Sequence, residues 1–211
     1  MDDQPQLAYI GMGRMGQAMA KNLVEKGNLD KPLILFNRTR SRADETSQEL
    51  KHATAADTIA DVILAHDITG KHFVDCSSVL PHITDQIARK VLEAGAEFVA
   101  MPVFGDPSMV VSGSLICVPA GAVSSVARIK PYTVGVVAEA IVDLSSEAPS
   151  KATLLKVIGN VIILTTIETV AETHVFAEKT GLGTTHMQSL IMTLFLRPLH
   201  AIYTRKMTSG D

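Results

Sequence analysis

The sequence predicts an α/β protein with a doubly wound, mostly parallel sheet, followed by a short all-α region. Through the first two thirds of the chain, short apolar runs alternate with stretches of helical periodicity, as parallel strands alternate with crossover helices. Beyond the small polar stretch at 145–150 this alternation stops, and one long apolar helical pattern runs from Lys151 to Lys179. We therefore predict one domain at residues 1–146 and a second, helical domain at 147–211.

The first elements follow one another in close order. The apolar run from Leu7 to Ile10 predicts a buried strand, and Arg14 to Lys26 has helical periodicity that ends at Gly27. A second buried strand is expected from Leu33 to Phe36. The remaining predicted elements are helices at 41–52, 54–65, 83–94 and 124–132 and strands at 71–75, 97–103, 114–119 and 141–144.

Composition excludes several classes of function. Hydrophobic residues make up 46% of the chain and charged residues 19%, which is enough apolar material for a buried core. The net charge of −3 gives no basic face for nucleic acid, and no His, Cys or Glu spacing is typical of a metal site. Cys76 and Cys117 are far apart, which favours a reduced protein over a disulfide scaffold. Met1 is followed by Asp2 and Asp3, so we expect no signal peptide, and the longest apolar run, Val161 to Leu164, is too short to cross a bilayer. We expect a soluble, cytoplasmic protein without a bound metal.

A glycine motif follows the first strand and opens the first helix. In G-x-G-x-x-G the first glycine permits a tight turn, the second lets a pyrophosphate approach the backbone, and the third lets the helix pack on the strand. The free N–H groups of the helix then face the phosphates. This context predicts a Rossmann-type dinucleotide site, whereas the motif by itself is also found in turns that bind nothing. The residues concerned are Gly11, Met12, Gly13, Arg14, Met15 and Gly16.

The residues that follow the second strand indicate which dinucleotide is bound. About 20 residues after the motif an NAD site carries an acidic residue for the ribose 2′-hydroxyl. This chain has Asn37 there, followed by Arg38, Thr39 and Arg40. Because guanidinium pairs with phosphate and an amide does not repel it, we predict NADP (NADPH) rather than NAD. The alternative is that these arginines are only the solvated start of a helix.

Four stretches of the chain resemble the β-hydroxyacid dehydrogenase family, the relatives of 6-phosphogluconate dehydrogenase and 3-hydroxyisobutyrate dehydrogenase. They are IGMGRMGQAMAKNL at 10–23, FNRT at 36–39, VDCSSVLP at 74–81 and MPVFGDPSMVVSGSLICVPAG at 101–121. Ser78 stands at the threonine of the family's D-x-S-T segment. The resemblance implies hydride transfer between a nicotinamide and a small 3-hydroxy acid or related carbonyl compound.

The family resemblance also assigns substrate-site residues. A lysine on the helix after the nucleotide domain is the proton donor and acceptor, a role that falls to Lys156, and Asn160 would hold the substrate oxygen. Phe104, Gly105 and Asp106 occupy the family's substrate-binding S-G-G, so a hydroxyl is lost and a charge is gained. We therefore expect this segment to bind a substrate carboxylate less well than the corresponding segment of the family does. Without the resemblance, Lys156 and Asn160 would be read as ordinary helix-surface residues.

The chain is shorter than the family in two places. The connection before the strand at 71–75 leaves room for about one helix and a turn, so a central parallel strand is expected to be missing. The helical domain is also truncated relative to the family. Two alternatives to a working dehydrogenase therefore remain: an imine-reductase-like enzyme, and an impaired NADP-binding product that pairs with a partner. Because the helix 151–179 is apolar almost all round, we expect a homodimer formed through it.

Overall fold

The computed structural model describes residues 5–59 and 68–195. The chain forms two compact units, Met1–Val157 and Ile158–Asp211, and the division falls inside the long helix rather than before it. The functional boundary placed at residue 146 from the sequence stays a prediction. The predicted fold class is confirmed, since parallel strands alternate with helices in the first unit and the described part of the second unit is helical.

Three strands open the first unit and form a parallel sheet in the order β1-β2-β3. Leu33 and Leu35 of the middle strand are fully buried, because helices cover the sheet. The elements are β1 (Ala8–Ile10), α1 (Arg14–Lys26), β2 (Leu33–Phe36), α2 (Arg40–Glu49) and β3 (Ala53–Ala55).

The helix predicted at 54–65 is wrong at its beginning. Thr54 and Ala55 belong to β3, where Thr54 lies opposite Ile34 and Ala55 opposite Leu35 in the parallel ladder with β2. Alanine and threonine have no strong local preference here, so pairing with the neighbouring strand decides the structure. The rest of that prediction, residues 60–65, lies outside the described residues.

The second part of this unit contains two further sheets, in the orders β10-β8-β5-β4 and β6-β7-β9. Among the described residues, the pairs β5–β8 and β6–β7 are antiparallel and the other strand pairs are parallel. The strand predicted at 97–103 is divided at Met101 and Pro102, since proline has no N–H for a ladder. The elements are β4 (His72–Asp75), α3 (Pro81–Glu93), β5 (Glu97–Ala100), β6 (Val103–Phe104), α4 (Pro107–Ser112), β7 (Leu115–Cys117), β8 (Ala120–Gly121), α5 (Val123–Ile129), a 3-10 turn (Lys130–Tyr132), β9 (Ala138–Ile141) and β10 (Leu144–Ser145).

Strands β1 and β4 each form the edge of a sheet. Within residues 5–59 and 68–195, no strand lies between them to join the two sheets. Ile10 of β1 is 49% exposed and Val74 of β4 is 38% exposed, whereas central strands of a doubly wound sheet are covered on both faces. The expected loss of a central parallel strand stays a prediction, because residues 60–67 of the short connection lie outside the described residues.

Helix packing holds the two parts of the first unit together. The side chain of Asn22 on α1 is buried, and its Nδ2 donates to the carbonyl oxygen of Val110 on α4 at 2.6 Å. Met19, one turn earlier on α1, lies in the same hydrophobic cluster as Val99 and Leu115. The helix that begins at the glycine motif is thereby tied to α4, which follows the Phe104–Asp106 segment.

The second unit contains most of α6 (Pro149–Lys179) and all of α7 (Thr184–Phe195). By length and composition α6 could cross a membrane, since an 18-residue window of it has a mean hydropathy of 1.7 and none of that window is buried. The sequence-based expectation rests only on the uninterrupted run Val161 to Leu164, whereas the helix as a whole meets this criterion. A helix that packs on a partner meets the same criterion. Its exposed large apolar residues include Val161, Ile162, Leu164, Ile167 and Phe176.

Candidate functional site

The glycine motif forms the turn between β1 and α1. Gly11 has φ +104°, a conformation that residues with a Cβ rarely adopt, and its N–H donates to the carbonyl oxygen of Phe36 at 2.9 Å. A Cβ on Gly16 would lie 1.8 Å from the carbonyl oxygen of Gly11, so only glycine allows this close approach of helix and turn. A Cβ on Gly13 would meet nothing within 4 Å. The turn is therefore tightly built at both ends and open at its middle glycine, which fits the approach of a pyrophosphate.

The three other motif residues divide between core and surface. Met12 is fully buried in the cluster that covers β2, and Met15 packs against the cluster around Val99. Arg14 is exposed at the start of α1. Met12 could therefore contact a nucleotide only through its backbone, whereas Met15 is half-buried and Arg14 has an exposed side chain. The contacts of all three with a nucleotide stay predictions.

Asn37 joins the glycine turn to the end of β2. Its Oδ1 accepts a hydrogen bond from the N–H of Met12 at 3.0 Å, and its Nδ2 donates to the carbonyl oxygen of Thr39 at 2.9 Å. The sequence suggested a direct contact between this amide and the cofactor, and that contact stays a prediction. What the structure adds is a positioning role, because the amide sets the distance between the turn and the ribose end of the site.

The basic residues after Asn37 have different surroundings. Arg38 and Thr39 are exposed at the carboxyl end of β2. Arg40, the first residue of α2, donates from Nε to Asp44 Oδ1 at 2.8 Å and from Nη1 to Asp57 Oδ1. Both pairings raise the pKa of Arg40. Of the guanidinium groups predicted to hold a phosphate here, Arg40 is thus already engaged by two carboxylates.

Lys156 lies on α6 beside the segment that follows β5. Its Nζ is 4.0 Å from the centre of the Phe104 ring, in the range of a cation–π contact. Burial lowers the pKa of Lys156 below its ordinary value of 10.5. The first turns of α6 are fixed by the buried hydroxyl groups of Thr84 and Thr153, which are 3.1 Å apart and hydrogen-bonded. The lysine is therefore presented on a firmly anchored part of the helix.

Gly105 and Asp106 have structural roles that the family resemblance did not indicate. Gly105 has φ +142°, and a Cβ there would lie 2.6 Å from Leu115 Cδ2. Asp106 caps α4: its Oδ1 accepts from the N–H and hydroxyl of Ser108 and from the N–H of Met109. These bonds lower the pKa of Asp106. The carboxylate remains a charge near Phe104, but its hydrogen-bonding capacity is directed at α4.

Two predicted residues lie apart from these contacts. Ser78 is exposed in the loop after β4, next to Ser77, whose N–H donates to Asp75 Oδ1 at 2.9 Å. Asn160 follows Lys156 by four residues on α6 and is half-buried, but it belongs to the second unit. Their contacts with a ligand stay predictions.

Sequence reasoning missed Asn22, Asp44 and Asp57. The pairing of Arg40 with Asp44 could have been found from their i, i+4 spacing on a helix. Asp57 could not, since it depends on the unexpected strand β3, which ends just before it. The cap formed by Asp106 also had a signal, an Asp directly before Pro107. Asn22 has no local signal because its partner, Val110, is distant in sequence.

The described part of the chain offers little support for a metal site or for a cysteine nucleophile. Among its residues no three His, Cys, Asp or Glu side chains lie together in a way that could hold a metal ion. Burial raises the pKa of both Cys76 and Cys117 to about 12, so these thiols are protonated and poorly nucleophilic at neutral pH.

Comparison with known proteins identifies relatives of this chain. The family model described as the NAD binding domain of 6-phosphogluconate dehydrogenase matches residues 6–69 and 50–145. An NADH-dependent oxidoreductase of Aspergillus ustus, ucdB, is 41% identical over 220 residues, which cover 93% of this chain and 74% of that protein. The two segments matched by the family model overlap at residues 50–69, which include the shortened connection before β4. The 220 aligned positions exceed the 211 residues of the chain, so the relative has residues that this chain lacks.

Solved structures share the fold at low sequence identity. An imine reductase from Pseudomonas sp. has a TM-score of 0.82 and 18% identity, and the match covers 99% of this chain and 79% of the other. The 3-hydroxyisobutyrate dehydrogenase of Mycobacterium tuberculosis, with L-serine, has a TM-score of 0.75 and 19% identity, and the match covers 89% of this chain and 70% of the other. At these identities the likeness establishes the fold and leaves the substrate open.

Proposed function

This chain belongs to the β-hydroxyacid dehydrogenase family, with the nucleotide domain of 6-phosphogluconate dehydrogenase, and we propose that it is an NADP-preferring oxidoreductase acting on a small carbonyl compound or the corresponding alcohol. The observation that carries the proposal is Lys156, a partly buried amine 4.0 Å from the Phe104 ring, on the helix that follows the nucleotide domain. Such a reaction requires a site for the nicotinamide cofactor and a group that transfers a proton. We propose that the nucleotide turn provides the first and the desolvated lysine the second.

The residues of the nucleotide turn fit a nicotinamide dinucleotide. Gly13 leaves open space at the start of α1, whose free N–H groups favour phosphate oxygens. The bound cofactor would supply the hydride, and the chain would supply position and protons. Arg38 and Thr39 are exposed at the carboxyl end of β2, and we propose that they receive the ribose 2′-phosphate of NADP.

Lys156 is proposed to move the proton. In the direction of reduction its ammonium would donate to the carbonyl oxygen as that oxygen gains negative charge, and in oxidation the amine would accept the proton of the hydroxyl. Its lowered pKa brings donation and acceptance closer to balance near neutral pH. Asn160, one helical turn further along α6, is proposed to hold the same substrate oxygen.

The apolar side chain of Phe104 favours substrates without a carboxylate. The family has a serine at this position, and here a phenyl ring replaces that hydroxyl and lies under the lysine. A substrate carboxylate would lose a donor and would approach Asp106, whose pKa is lowered so that it stays charged. We therefore propose a neutral or weakly charged carbonyl compound in preference to a 3-hydroxy acid, with an imine as the second candidate on account of the same apolar ring.

A direct assay tests the proposal. NADPH oxidation would be measured with a panel of small aldehydes, ketones, keto acids and cyclic imines, with Lys156→Ala and the matched surface control Lys151→Ala. We expect turnover that is reduced at least a hundredfold by Lys156→Ala and unchanged by Lys151→Ala. Turnover that survives Lys156→Ala would remove the lysine from the mechanism.

The separation of β1 from β4 favours a second function. If the split sheet prevents productive placement of the nicotinamide, the chain would bind NADPH without turning over any substrate and would act as a partner of a complete relative. Tight NADPH binding with no turnover across the whole panel would support this alternative.

We propose that the chain is a homodimer through α6. Within the second unit Ile162 and Leu164 are each 64% exposed and Phe176 is 71% exposed, so large apolar side chains of this helix lie open to solvent. A second copy of the same helix offers a matching apolar surface, and the dimer is proposed on this basis. A cytoplasmic location is proposed with it.

A further inference from the structure

We propose that Asp57, together with Asp44, weakens the preference for NADP by engaging Arg40, so that Arg38 alone discriminates the 2′-phosphate. This inference rests on the proposed function, and it concerns the strength of the cofactor preference.

The position of Arg40 makes it a candidate phosphate ligand. It begins α2 directly after β2, two residues beyond Arg38, at the edge of the sheet where the ribose of a dinucleotide lies. Guanidinium groups here bind a 2′-phosphate through their planar N–H donors. Arg40 is 44% exposed, so solvent and ligand can reach it.

The two carboxylates occupy those donors. Asp44 Oδ1 accepts from Nε at 2.8 Å, and Asp57 Oδ1 accepts from Nη1. Asp44 is one turn along α2, whereas Asp57 comes from the chain after β3, the strand beside β2. Arg40 is therefore held from two directions, towards α2 and towards β3.

Charge at this position opposes a phosphate. Arg40 and its two carboxylate partners together have a net charge of −1, and a 2′-phosphate has a charge of about −2 near neutral pH. Charges that lie within the screening length of about 8 Å at physiological salt repel one another with only partial screening. Arg38 is also exposed at this edge, and no carboxylate among residues 5–59 and 68–195 is paired with it. NADH has no 2′-phosphate, so this charge affects NADPH and leaves NADH nearly untouched.

The experiment removes one carboxylate that contributes nothing to packing. The Asp57 side chain is 80% exposed, so Asp57→Asn is expected to fold normally, and Asp85→Asn on the exposed surface of α3 is the charge-matched control. Dissociation constants for NADPH and NADH would be measured for the full chain. We expect Asp57→Asn to tighten NADPH about three- to tenfold with NADH changed less than twofold, and Asp85→Asn to change neither.

Two arginine variants show whether Arg40 transmits the effect. Arg38→Ala is expected to weaken NADPH about tenfold. Arg40→Ala leaves Asp44 and Asp57 without their cation, so it is expected to weaken NADPH about threefold. In the Arg40→Ala background, Asp57→Asn should tighten NADPH by a smaller factor than in the unaltered chain, because no guanidinium is released. A gain that is equally large without Arg40, or an equal change for both nucleotides, would overturn the inference.

Nucleotide binding by the unaltered chain distinguishes failure of the proposed function from failure of this inference. If the unaltered chain binds neither nucleotide, the proposed function is wrong and this inference falls with it. If it binds both and Asp57→Asn has no selective effect, the inference alone is wrong.

Discussion

The side-chain oxygen of Asn37 accepts a hydrogen bond from the backbone N–H of Met12 at 3.0 Å, and this bond couples the end of β2 to the glycine turn. Two segments of the proposed nucleotide site are thus held at one distance by a single amide. Asn37 would influence affinity for either nicotinamide cofactor through this bond, besides any contact it makes itself.

Replacement of Asn37 separates positioning from charge. Asn37→Ala removes the bond to Met12 and should weaken NADPH and NADH alike, by about tenfold, the worth of about one hydrogen bond. Asn37→Asp keeps an acceptor but adds a charge beside the 2′-phosphate, so NADPH should weaken more than NADH. Titration of both cofactors into each variant checks this, and equal losses in Asn37→Asp would contradict it.

Two glycines of the turn should respond in opposite ways to alanine. A Cβ at Gly16 would lie 1.8 Å from the Gly11 oxygen, so Gly16→Ala should cost about 2 kcal/mol of folding free energy as the helix shifts. A Cβ at Gly13 meets no protein atom within 4 Å, so Gly13→Ala should leave the melting temperature nearly unchanged and reduce nucleotide binding. Thermal unfolding and cofactor titration of the pair test both statements.

The lowered pKa of Lys156 predicts the pH dependence of catalysis. Carbonyl reduction needs the protonated amine, so its rate should fall as pH rises through a pKa that lies below 10.5. Oxidation of the alcohol needs the neutral amine and should rise over the same range. Rate profiles in both directions provide the measurement, with Lys156→Arg as a variant that stays protonated. A reduction rate in the unaltered chain that is flat to pH 10.5 would contradict the assignment.

Asp106 should stabilise α4 only while it is ionised. Hydrogen bonds from Ser108 and Met109 lower its folded-state pKa, so its contribution is present above the unfolded-state pKa and is lost as pH falls through the folded-state value. Asp106→Ala should lower the melting temperature by a few degrees at pH 7 and by less at pH 2–3, whereas Asp106→Asn should keep most of the cap. An equal loss at both pH values would argue against a capping role.

The proposed dimer depends on exposed apolar residues of α6. Ile162→Gln together with Leu164→Gln should shift the chain from dimer to monomer in light scattering, and Glu168→Gln on the same helix should not. Recovery of the unaltered chain in detergent micelles or vesicles, rather than as a soluble dimer, would show instead that this helix is used in a membrane.

The local elements of this fold could be predicted because their signals are short in range. The helix Arg14–Lys26 and the strand Leu33–Phe36 have the predicted bounds, since glycine stops and buried apolar runs mark them. Strand β3 escaped prediction because only its partner β2 makes Thr54 and Ala55 extended.

The candidate site likewise contains residues that short-range signals predict and contacts that depend on distant segments. The glycine motif and Lys156 were found from spacing and from family resemblance. The capture of Arg40 by Asp57 depends on two adjacent strand ends, and the bond from Asn22 to Val110 spans 88 positions of sequence. Contacts of that range depend on the three-dimensional packing of elements, which periodicity does not encode.

The absence of a strand between β1 and β4 among the described residues has a consequence for how the protein unfolds. Without a continuous ladder of backbone bonds through the described part of the first unit, its two halves communicate through side chains, chiefly where α1 meets α4 at Asn22 and Val110. Amide hydrogens of β2 and of β5 should therefore exchange with solvent deuterium at different free energies of opening, as members of separate cooperative units. A calorimetric transition broader than a single two-state melt would carry the same signature.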